Sequence, residues 1–499
     1  MNAYLVMDIG TSSTKVSLFG TDGKLINSQS RAYDVHMPKA GWAEQDPQAW
    51  WQAVCSLCLS LTNQEQKYKI LAVVVCGQAP SCVPVDRQGQ PVHPAILWLD
   101  RRSTPQVDWL RQHLGEERAQ AISTNRLDSY FGGVKWLWFM QNCPEQYQKT
   151  WKILQANSYI VFKLTGQAVV DPSQAGLCSP CFETAARKWS QEVLSIMGLD
   201  EEKLPEIVAA DHIVGAINEE AASQSGLTTG IPVLCGGGDY AFACLGAGVI
   251  KKGVAAMMLG TAGNLLVPNL PSGDSRLLNT VYLNGESLSL GGVLSGGTLS
   301  WFTKSILELS GENIYADLEV QASATAPGAD GLIFLPYLMG ERTPIWDPQS
   351  RGVWIGLSSR HTRAHLYRAV MEGIAFAFRQ MLEIIETDGA QLDHVVVMDG
   401  GANSNLWRQI FADVLGLPVH WRGENGGTGL GAAFLAAKAL NQGIEFSALE
   451  EWLEPAQVTY PRGQFLSRYA ELFKIYSSLY PRLADDLHAL ARIGSIPEP

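Results

Sequence analysis

Residues 3–20 read AYLVMDIGTSSTKVSLFG, in which two apolar runs flank a polar turn at residues 10–13. This pattern predicts a β-hairpin. Residues 253–270 read GVAAMMLGTAGNLLVPNL and repeat the plan, with GTAG at residues 260–263 in the place of the turn. Because the second hairpin lies half a chain after the first, we predict two related domains, residues 1–247 and 248–499. A coincidence between two Gly/Thr-rich turns is the alternative.

The length supports this division, because 499 residues exceed what one hydrophobic core usually holds. A hydrophobic content of 46% and a charged content of 17% are typical of globular chains. Strand-like apolar runs alternate with helix-like amphipathic segments, which predicts an α/β fold. The predicted strands include residues 71–76, 231–238 and 331–338, the predicted helices include residues 48–62, 362–387, 405–415 and 426–440, and residues 119–205 form a mainly helical insertion.

The charge balance excludes several classes of partner. Thirty-seven basic residues against 49 acidic ones give a net charge of −12, which repels nucleic-acid phosphates and anionic membrane surfaces. No apolar run approaches the roughly 18 residues of a membrane span. The first ten residues, MNAYLVMDIG, lack the basic segment of a signal peptide. We therefore expect a cytoplasmic protein that binds neither nucleic acid nor membranes.

The cysteines predict buried, reduced thiols. The chain has nine of them, and most lie in apolar runs. Two Cys-x-x-Cys spacings occur, at residues 55–58 and 178–181, but no histidine lies near either pair and the two pairs are far apart in the sequence. Zinc requires four well-placed ligands, so we expect neither a metal centre nor redox chemistry there.

The first hairpin turn carries residues suited to a phosphate and metal site. Asp8 ends a buried strand, and the turn after it offers backbone N–H groups, the hydroxyls of Thr11, Ser12 and Ser13, and the ammonium group of Lys15. These groups can hold a metal ion and the phosphates of a nucleotide. A polar hairpin turn capped by Asp8 is the structural alternative.

Two glycine-rich stretches are further candidates. Residues 398–405, MDGGANSN, precede a helix, so a nucleotide could approach the backbone there and Asn405 could bond its adenine or ribose. Residues 236–239, GGGD, clear space around Asp239, and a carboxylate beside a hydroxyl and a magnesium nucleotide is what a kinase base requires. Glycine punctuation before a helix explains the first stretch equally well, and an N-cap explains Asp239.

Together and in order, these residues resemble the FGGY carbohydrate kinase family over essentially the whole chain. The C-terminal signature of the family matches GVWIGL at residues 352–357, followed by HL at 365–366 and AVME at 369–372. The N-terminal signature matches YFGGVKWLWFMQN at residues 130–142 and departs only at Gly132, where Pro, Ser or Thr is usual. Further matches are GWAEQDP at residues 41–47, WLDRR at 98–102 and GERTP at 340–344, and the last two look most like xylulokinases.

The resemblance implies two actin-like (ribonuclease-H-like) domains around a central cleft that takes ATP, Mg²⁺ and a sugar. It implies that Asp239 is the catalytic base and that Asp8 organises the Mg²⁺ ion. It leaves a homodimer open. The implied nucleotide contacts are Thr11, Ser12, Ser13, Lys15, Gly260, Thr261, Gly296, Ser300, Gly401, Ala402 and Asn405.

The implied sugar contacts are Gln78, Ala79, Pro80, Asp100, Arg101, Asp239 and Tyr240. Xylulokinases usually carry Met-His in place of Ala79 and Pro80, and Asn in place of Tyr240. A hydroxyl left without a partner costs roughly 1 to 3 kcal/mol, which is enough to change substrate preference. Gln78, Asp100 and Arg101 could compensate. Arg101 or Arg102 would favour an anionic sugar acid such as gluconate, although surface roles explain these arginines equally well.

We therefore expect an ATP-dependent carbohydrate kinase that transfers the γ-phosphoryl group to a sugar hydroxyl, with D-xylulose, which gives D-xylulose 5-phosphate, as the first substrate. Gluconate, or another pentulose, polyol or sugar acid, is the alternative. A non-catalytic, sugar-responsive ATP-binding regulator is the alternative outside enzymes, and loss of Asp8 or Asp239, both of which are present, would be its mark. An actin-like chaperone or filament protein would need an assembly segment that we do not find.

Overall fold

The computed structural model describes residues 1–64, 68–270, 274–311, 313–423, 427–441 and 443–494. The described chain divides into two compact units. The first unit is formed from Met1–Ile250, Asn279–Leu288 and Asn425–Leu453, and the second from Lys251–Leu278, Ser289–Glu424 and the chain from Glu454 onward. The chain therefore returns to the first unit twice. The division into functional domains at residue 247 stays a prediction.

The strands of residues 1–250 are β1 (Asn2–Ile9), β2 (Ser13–Gly20), β3 (Leu25–Ala32), β4 (Glu44–Gln45), β5 (Lys69–Gly77), β6 (Val83–Val85), β7 (Ala95–Ile96), β8 (Lys152–Leu154), β9 (Val169–Val170), β10 (Phe182–Glu183), β11 (Lys188–Trp189), β12 (Glu206–Ile207), β13 (Ile213–Ala216), β14 (Pro232–Leu234) and β15 (Gly237–Gly238). The helices are α1 (Pro47–Gln64), α2 (Thr104–His113), α3 (Glu116–Ser123), α4 (Gly132–Asn142), α5 (Pro144–Lys149), α6 (Ala156–Thr165), α7 (Pro172–Gly176), α8 (Gln191–Met197), α9 (Glu219–Ser225) and α10 (Asp239–Gly246).

The first unit contains a seven-stranded sheet in the order β13-β14-β5-β1-β2-β3, with β15 also paired to β5, among the residues that are described. The central strands β1 and β5 are apolar and buried over most of their length, as expected of strands covered on both faces. The outermost strand β3, LINSQSRA, is polar and largely exposed, which protects that edge from pairing with another chain. β1 pairs antiparallel with β2, so the first predicted hairpin is confirmed.

After residue 250 the strands are β16 (Val254–Leu259), β17 (Ala262–Pro268), β18 (Leu278–Val281), β19 (Ser287–Leu294), β20 (Ile333–Leu335), β21 (Val353–Ile355), β22 (His394–Met398), β23 (Val419–Trp421) and β24 (Gln457–Thr459). The helices are α11 (Gly296–Trp301), α12 (Ile314–Ser323), α13 (Arg363–Thr387), α14 (Asn405–Leu415), α15 (Thr428–Leu440) and α16 (Gly463–Gly494). Short 3₁₀ turns lie at Glu201–Lys203, Ala329–Gly331, Gly400–Asn403 and Phe446–Trp452, and a π turn at Phe302–Ile306.

A second seven-stranded sheet has the order β18-β19-β17-β16-β22-β23-β24 within the described ranges. β16 and β17 pair antiparallel, which confirms the second predicted hairpin, and β16 runs parallel to β22. The α/β class is thereby confirmed for both units. Each unit has its own cluster of buried apolar side chains, which includes Met7, Trp50 and Val75 in the first unit and Leu259, Phe378 and Trp407 in the second.

The long helix α13 begins and ends where the sequence predicts. Thr362 is its N-cap residue, and the side chains of Thr362 and His365 form a reciprocal capping box with the backbone. Its apolar residues recur at helical spacing and sixteen of its residues are buried. The predicted helix at residues 405–415 is also confirmed. The helix predicted at residues 426–440 begins at Thr428, and Gly426 lies outside the described residues.

Two predicted strands are shorter in the structure. Residues 231–238 form two strands instead of one, because Gly236 has a φ of +69° and its Cα faces the Val75 carbonyl oxygen so closely that a Cβ would lie 1.7 Å from it. Only glycine allows this break. Residues 331–338 form a strand only over Ile333–Leu335, because Pro336 has no N–H to continue the ladder.

No helix in the described part of the chain is both long enough and apolar enough to cross a membrane. All nine cysteines are free thiols, seven of them buried, and Cys55 and Cys143 are half-buried. No group of three or more His, Cys, Asp or Glu side chains that could hold a metal ion by itself occurs among the residues described.

Candidate active site

Two carboxylates follow neighbouring strand ends in the first unit. Asp8 is the second-to-last residue of β1, and Asp239 is the first residue of α10, directly after β15. Both strands pair in parallel with β5, and their registers set Asp8 and Gly237 on opposite sides of Cys76. Since neighbouring strands are about 4.8 Å apart, the two flanking backbones are about 10 Å apart. The structure therefore brings Asp8 and Asp239 to the same end of one sheet, where the parallel strands β1, β5 and β15 have their carboxyl ends.

The thiol of Cys76, in the strand between β1 and β15, is unreactive. Cys76 is fully buried, and its Sγ donates to the Met7 carbonyl oxygen over 3.6 Å. Burial raises the pKa of Cys76 well above its usual value, and the charges of Asp8 and Asp239 raise it further. A thiol that stays protonated is not a nucleophile. Of these three side chains, the carboxylates of Asp8 and Asp239 are therefore the ones that can bind a metal ion or accept a proton.

The turn between β1 and β2 is anchored through its carbonyl groups. The Tyr33 hydroxyl donates to the Gly10 carbonyl oxygen at 2.6 Å, and the Gln45 side-chain amide donates to that of Thr11 at 2.7 Å. The Tyr33 backbone N–H donates to the Ser12 carbonyl oxygen at 3.1 Å. These bonds hold the three carbonyl groups on the protein side, and Ser12 remains exposed. The predicted phosphate loop is therefore a fixed element.

Lys15 and Thr11 complete this loop. Lys15 is exposed and is the direct cross-strand partner of Asp8, so both side chains lie on the same face of the hairpin. The Thr11 hydroxyl accepts a hydrogen bond from Trp98 Nε1 at 3.0 Å. The structure thus brings together the metal-binding and phosphate-binding residues predicted in the first unit.

The predicted sugar contacts at residues 78–80 directly follow β5. Gln78 is buried; its N–H donates to the Ile9 carbonyl oxygen at 2.9 Å, and its side-chain amide donates to Gln45 Oε1 at 3.0 Å. The Ala79 carbonyl oxygen accepts from the Tyr130 hydroxyl at 3.1 Å. These bonds join the segment to the phosphate loop on one side and to the family's N-terminal signature on the other.

Two departures from the family pattern touch one another. Gly132 lies against Pro80, because a Cβ at residue 132 would be 3.4 Å from Pro80 Cβ and 3.2 Å from Cys178 Sγ. The larger residues that are usual at position 132 would therefore require their neighbours to move. Gly132 thus leaves room for both Pro80 and Cys178.

Asp100 and Arg101 differ strongly in accessibility. The Asp100 carboxylate is fully buried and accepts from the Ala43 N–H at 2.6 Å and from the Arg102 guanidinium at 2.7 to 2.9 Å. A direct sugar contact by Asp100 would require this arrangement to open. The Arg101 side chain is 36% exposed and pairs with Asp128 at 2.9 Å. Arg101 is therefore the more accessible of the two predicted contacts.

Tyr240 points into the protein beside Asp239. Its hydroxyl donates to the Ser173 carbonyl oxygen at 2.7 Å, and burial raises its pKa well above the usual value. Its backbone N–H donates to Asp239 Oδ1 at 2.7 Å. The side chain therefore adds packing to the site, with its polar end already bonded.

The predicted nucleotide contacts of the second unit meet at the ends of β16 and β22. The N–H groups of Ser295 and Gly297 donate to the Thr261 carbonyl oxygen at 3.1 and 3.0 Å, and the Gly296 N–H donates to that of Gly260 at 2.8 Å. A Cβ at Gly401 would lie 2.7 Å from the carbonyl oxygen of Leu259, the residue before Gly260. Gly260, Thr261, Gly296 and Gly401 thus form one glycine-rich backbone surface.

The remaining predicted nucleotide residues lie close to this surface along the chain. Ala402 is fully buried after Gly401. Asn405 is the exposed first residue of α14, and its Oδ1 accepts from Arg408. Ser300 lies one turn into α11, half-buried.

Sequence reasoning missed several supporting residues. Tyr33, Gln45 and Trp98 hold the phosphate loop. Gln45 and Trp98 occur in the sequence pieces quoted above at residues 41–47 and 98–102, which was the available signal. The missed pair Asp171 and Ser173 lies against residues 237 and 238. Its sequence signal is an Asp before a proline, the usual start of a helix.

The donor set of the first unit suits Mg²⁺. The carboxylate of Asp8 and the hydroxyls near it offer only hard oxygen ligands, and Mg²⁺ typically takes one or two carboxylates and completes its shell with water and substrate phosphates. The Asp8 carboxylate beside a phosphate loop fits that pattern.

Comparison with known proteins gives the same picture. The N-terminal domain model of the FGGY family of carbohydrate kinases matches residues 3–246, and the C-terminal domain model matches residues 256–440. A xylulose kinase of Escherichia coli K12 is 31% identical over 486 residues, which is 96% of this chain and 99% of that protein.

Solved structures are similar over nearly the whole chain. The structure of a xylulose kinase from Rhodospirillum rubrum has a TM-score of 0.90 at 29% identity and covers 97% of this chain and 100% of that one. A gluconate kinase from Lactobacillus acidophilus has a TM-score of 0.90 at 25% identity and covers 97% and 98%. With both domain models matched and both glycine-rich loops and strand-end carboxylates in the order of the signatures, the chain belongs to the FGGY family of carbohydrate kinases.

Proposed function

We propose that this ATP-dependent carbohydrate kinase phosphorylates D-xylulose to D-xylulose 5-phosphate, with Asp239 as the general base. The observation that carries the proposal is that Asp8 and Asp239 lie at the carboxyl ends of β1 and β15, two strands that pair in parallel with β5. The names of the similar proteins support the sugar, since xylulose kinases match over nearly the full chain. A cytoplasmic location belongs to the same proposal.

The mechanism follows from which group gives up a proton and which group accepts it. The sugar hydroxyl gives its proton to the Asp239 carboxylate as its oxygen bonds to the γ-phosphorus, and the bond from that phosphorus to the β,γ-bridging oxygen breaks to release ADP. The Tyr240 N–H, 2.7 Å from Asp239 Oδ1, orients the carboxylate that takes the proton.

Other residues bind and orient the substrates. Asp8, with the hydroxyls of Thr11 and Ser13, would hold Mg²⁺, which when bound neutralises phosphate charge. Lys15 and the N–H groups of the turn hold phosphate oxygens. In the second unit, Gly260 and Thr261 would form the second phosphate loop, and the residues around Gly296 and Gly401, which pack closely against it, would take the nucleoside.

Gluconate is the second candidate substrate. Arg101, within residues 98–102, is a partly exposed cation that pairs with Asp128, and a sugar acid would offer it a second carboxylate. Ala79 and Pro80 lack the polar side chain that the Met-His of xylulokinases would supply, which also favours a substrate other than xylulose. The similar structure of a gluconate kinase supports this alternative.

Two experiments test the proposal. Initial rates with D-xylulose, D-ribulose, gluconate, xylitol and glycerol identify the acceptor, and D-xylulose is expected to give the highest kcat/KM. Asp239→Asn should lower kcat with that acceptor by about a thousandfold or more, because the variant has no base, while ATP still binds as measured by calorimetry. Substantial activity in Asp239→Asn would exclude Asp239 as the base, and gluconate as the best acceptor would replace xylulose.

A further inference from the structure

A short helix braces the backbone on both sides of Asp239. Ser173, in α7, is fully buried, and its Oγ accepts a hydrogen bond from the Gly238 N–H at 3.0 Å. Its carbonyl oxygen accepts from the Tyr240 hydroxyl at 2.7 Å. One residue thus contacts the residue before Asp239 and the residue after it.

Ser173 is itself fixed from three directions. The Asp171 carboxylate caps α7 and accepts from the Ser173 N–H at 2.8 Å. The Thr280 hydroxyl donates to the Ser173 carbonyl oxygen at 2.8 Å. The next residue, Gln174, donates from its side-chain amide to the Gly77 carbonyl oxygen at 3.1 Å, which ties α7 to the end of β5. The helix α7 is therefore fixed to the same end of the sheet at which Asp8 lies.

The segment before Asp239 requires such a brace. Residues 236–238 are three consecutive glycines, which have more backbone freedom than any other residue. Their lack of side chains is needed here: a Cβ at Gly237 would lie 2.7 Å from the Asp171 carboxylate, and a Cβ at Gly238 would lie 2.5 Å from the Tyr240 ring. Because no side chain in this segment can fix the backbone, the pairing of β15 with β5 and the hydrogen bonds from α7 set the position of Asp239.

We infer that Ser173 is a positioning residue that fixes the orientation of Asp239 through the Gly238 N–H and the Tyr240 hydroxyl. This inference rests on the proposed role of Asp239 as the base. Ser173 touches neither substrate in this role, so its loss should reduce the rate of the chemical step and leave substrate binding nearly unchanged.

Ser173→Ala tests the inference, with Ser225→Ala as the matched control. Ser225 is also fully buried in the first unit, and its Oγ likewise accepts a backbone N–H, that of Leu227 at 3.3 Å, but it lies at the end of α9. A lost hydrogen bond of this kind is worth a roughly three- to tenfold change in rate. We expect Ser173→Ala to lower kcat by that factor with KM for sugar and ATP within about twofold of wild type, while Ser225→Ala keeps the wild-type kcat.

Amide hydrogen exchange provides a readout that does not depend on the sugar. The peptide that covers residues 234–242 should exchange faster in Ser173→Ala than in wild type or Ser225→Ala, because the Gly238 N–H loses its acceptor. If Ser173→Ala does not fold, Ser173→Cys, whose sulfur is a weak acceptor, is judged by the same criteria.

The outcomes separate the two proposals. A kcat equal to that of Ser225→Ala, or a change confined to KM, overturns the positioning role of Ser173, and so does unchanged exchange at residues 234–242. If wild type phosphorylates none of the acceptors, the proposed function fails, and the exchange result alone decides whether Ser173 holds the Asp239 segment.

Discussion

At the scale of single residues, Lys135 is a lysine held inside the first unit without exposure to solvent. Its Nζ donates to the carbonyl oxygens of Tyr130 at 2.9 Å and Asp100 at 3.1 Å, and to that of Ser129. Lys135→Met would remove this donor from all three carbonyl groups, although that of Ser129 also accepts from the Ser103 hydroxyl at 3.4 Å. Each carbonyl group left unpaired costs roughly 1 to 3 kcal/mol, which the loss of a buried charge partly offsets. We expect a net loss of roughly 2 to 4 kcal/mol in urea unfolding.

Lys152 is the matched control for this prediction. Its Nζ also donates to two carbonyl oxygens, those of Leu204 at 2.6 Å and Glu202 at 2.7 Å, but the side chain is half-buried. Lys152→Met should cost less than about 1 kcal/mol because water can replace the ammonium group. An equal loss of unfolding free energy in the two variants would show that the three carbonyl contacts of Lys135 add nothing specific to stability.

The stability of wild type relative to Lys135→Met should also depend on pH with a definite sign. Burial lowers the pKa of Lys135 to about 7, and the charge of Arg101 acts in the same direction. An unfolded lysine titrates near 10.4, so between these values the unfolded state binds more protons than the folded state. Wild-type stability relative to the variant should therefore rise from pH 7 to pH 9. A relative stability that falls over this interval would contradict the expected sign.

The sequence predicted individual residues where a local pattern marks them. Asp8 could be proposed because it lies at the end of an apolar run just before the turn that begins at Gly10, and Asp239 because it follows an apolar run that ends in three glycines. Ser173 could not, because its partners, Gly238 and Tyr240, lie more than sixty residues further along the chain, in a different element. Hydrogen bonds between distant segments leave no periodic pattern in the sequence. The region that holds Ser173 was predicted only as part of an insertion.

At the scale of elements, β22 and β23 carry a stacked pair of histidines. The ring centroids of His394 and His420 are 4.0 Å apart with an interplanar angle of 20°. Burial lowers the pKa of both, and the charge of Arg422 acts in the same direction; for His420 the His394 charge contributes as well. Both rings are therefore disfavoured as cations in the folded sheet.

This pair predicts a loss of stability in acid. Unfolded histidine titrates near 6.5, and as pH falls below this value the unfolded state takes up protons before the folded sheet does. The melting temperature of His420→Gln should therefore fall less than that of wild type between pH 7.5 and 5.0, as measured by calorimetry. His113→Gln, which changes an exposed histidine of α2, should follow the wild-type curve. A His420→Gln curve parallel to wild type would exclude the pair as a cause of acid sensitivity.

Elements were predictable where the sequence carries both a period and an end signal. The helix α13 has an apolar stripe and Thr362 as its cap, and α14 has Ser404, whose side chain accepts from the Trp407 N–H. The strand at residues 331–338 was predicted too long because apolar character continues past Pro336, while the ladder cannot. At Pro336 the chain remains buried while the hydrogen-bonded ladder ends, and the hydropathy of the sequence indicates only burial.

At the scale of the whole molecule, the halves of the sequence do not coincide with the two compact units. Residues 279–288 and 425–453 lie in the second half of the sequence and pack with the first unit. The contact of α15 with α10 is close, because a Cβ at Gly431 would lie 2.2 Å from the Phe242 carbonyl oxygen. The small side chains of α15 allow this close approach, but composition alone does not encode that α10 is the helix it meets.

The charge of the whole chain leads to the last prediction. With a net charge of −12, nucleotide affinity cannot come from a general positive surface, and the proposed phosphate contacts are N–H groups, hydroxyls and Lys15. Salt screens long-range repulsion between the acidic chain and MgATP over a Debye length of about 10 Å at 0.1 M, whereas short hydrogen bonds are affected less. The KM for MgATP should therefore stay within about twofold, or fall, when NaCl is raised from about 0.05 to 0.3 M. Lys15→Gln should raise that KM at every salt concentration without reversing the trend. A severalfold rise of the wild-type KM with salt would mean that a cluster of basic side chains, rather than the backbone of the glycine loops, holds the phosphates.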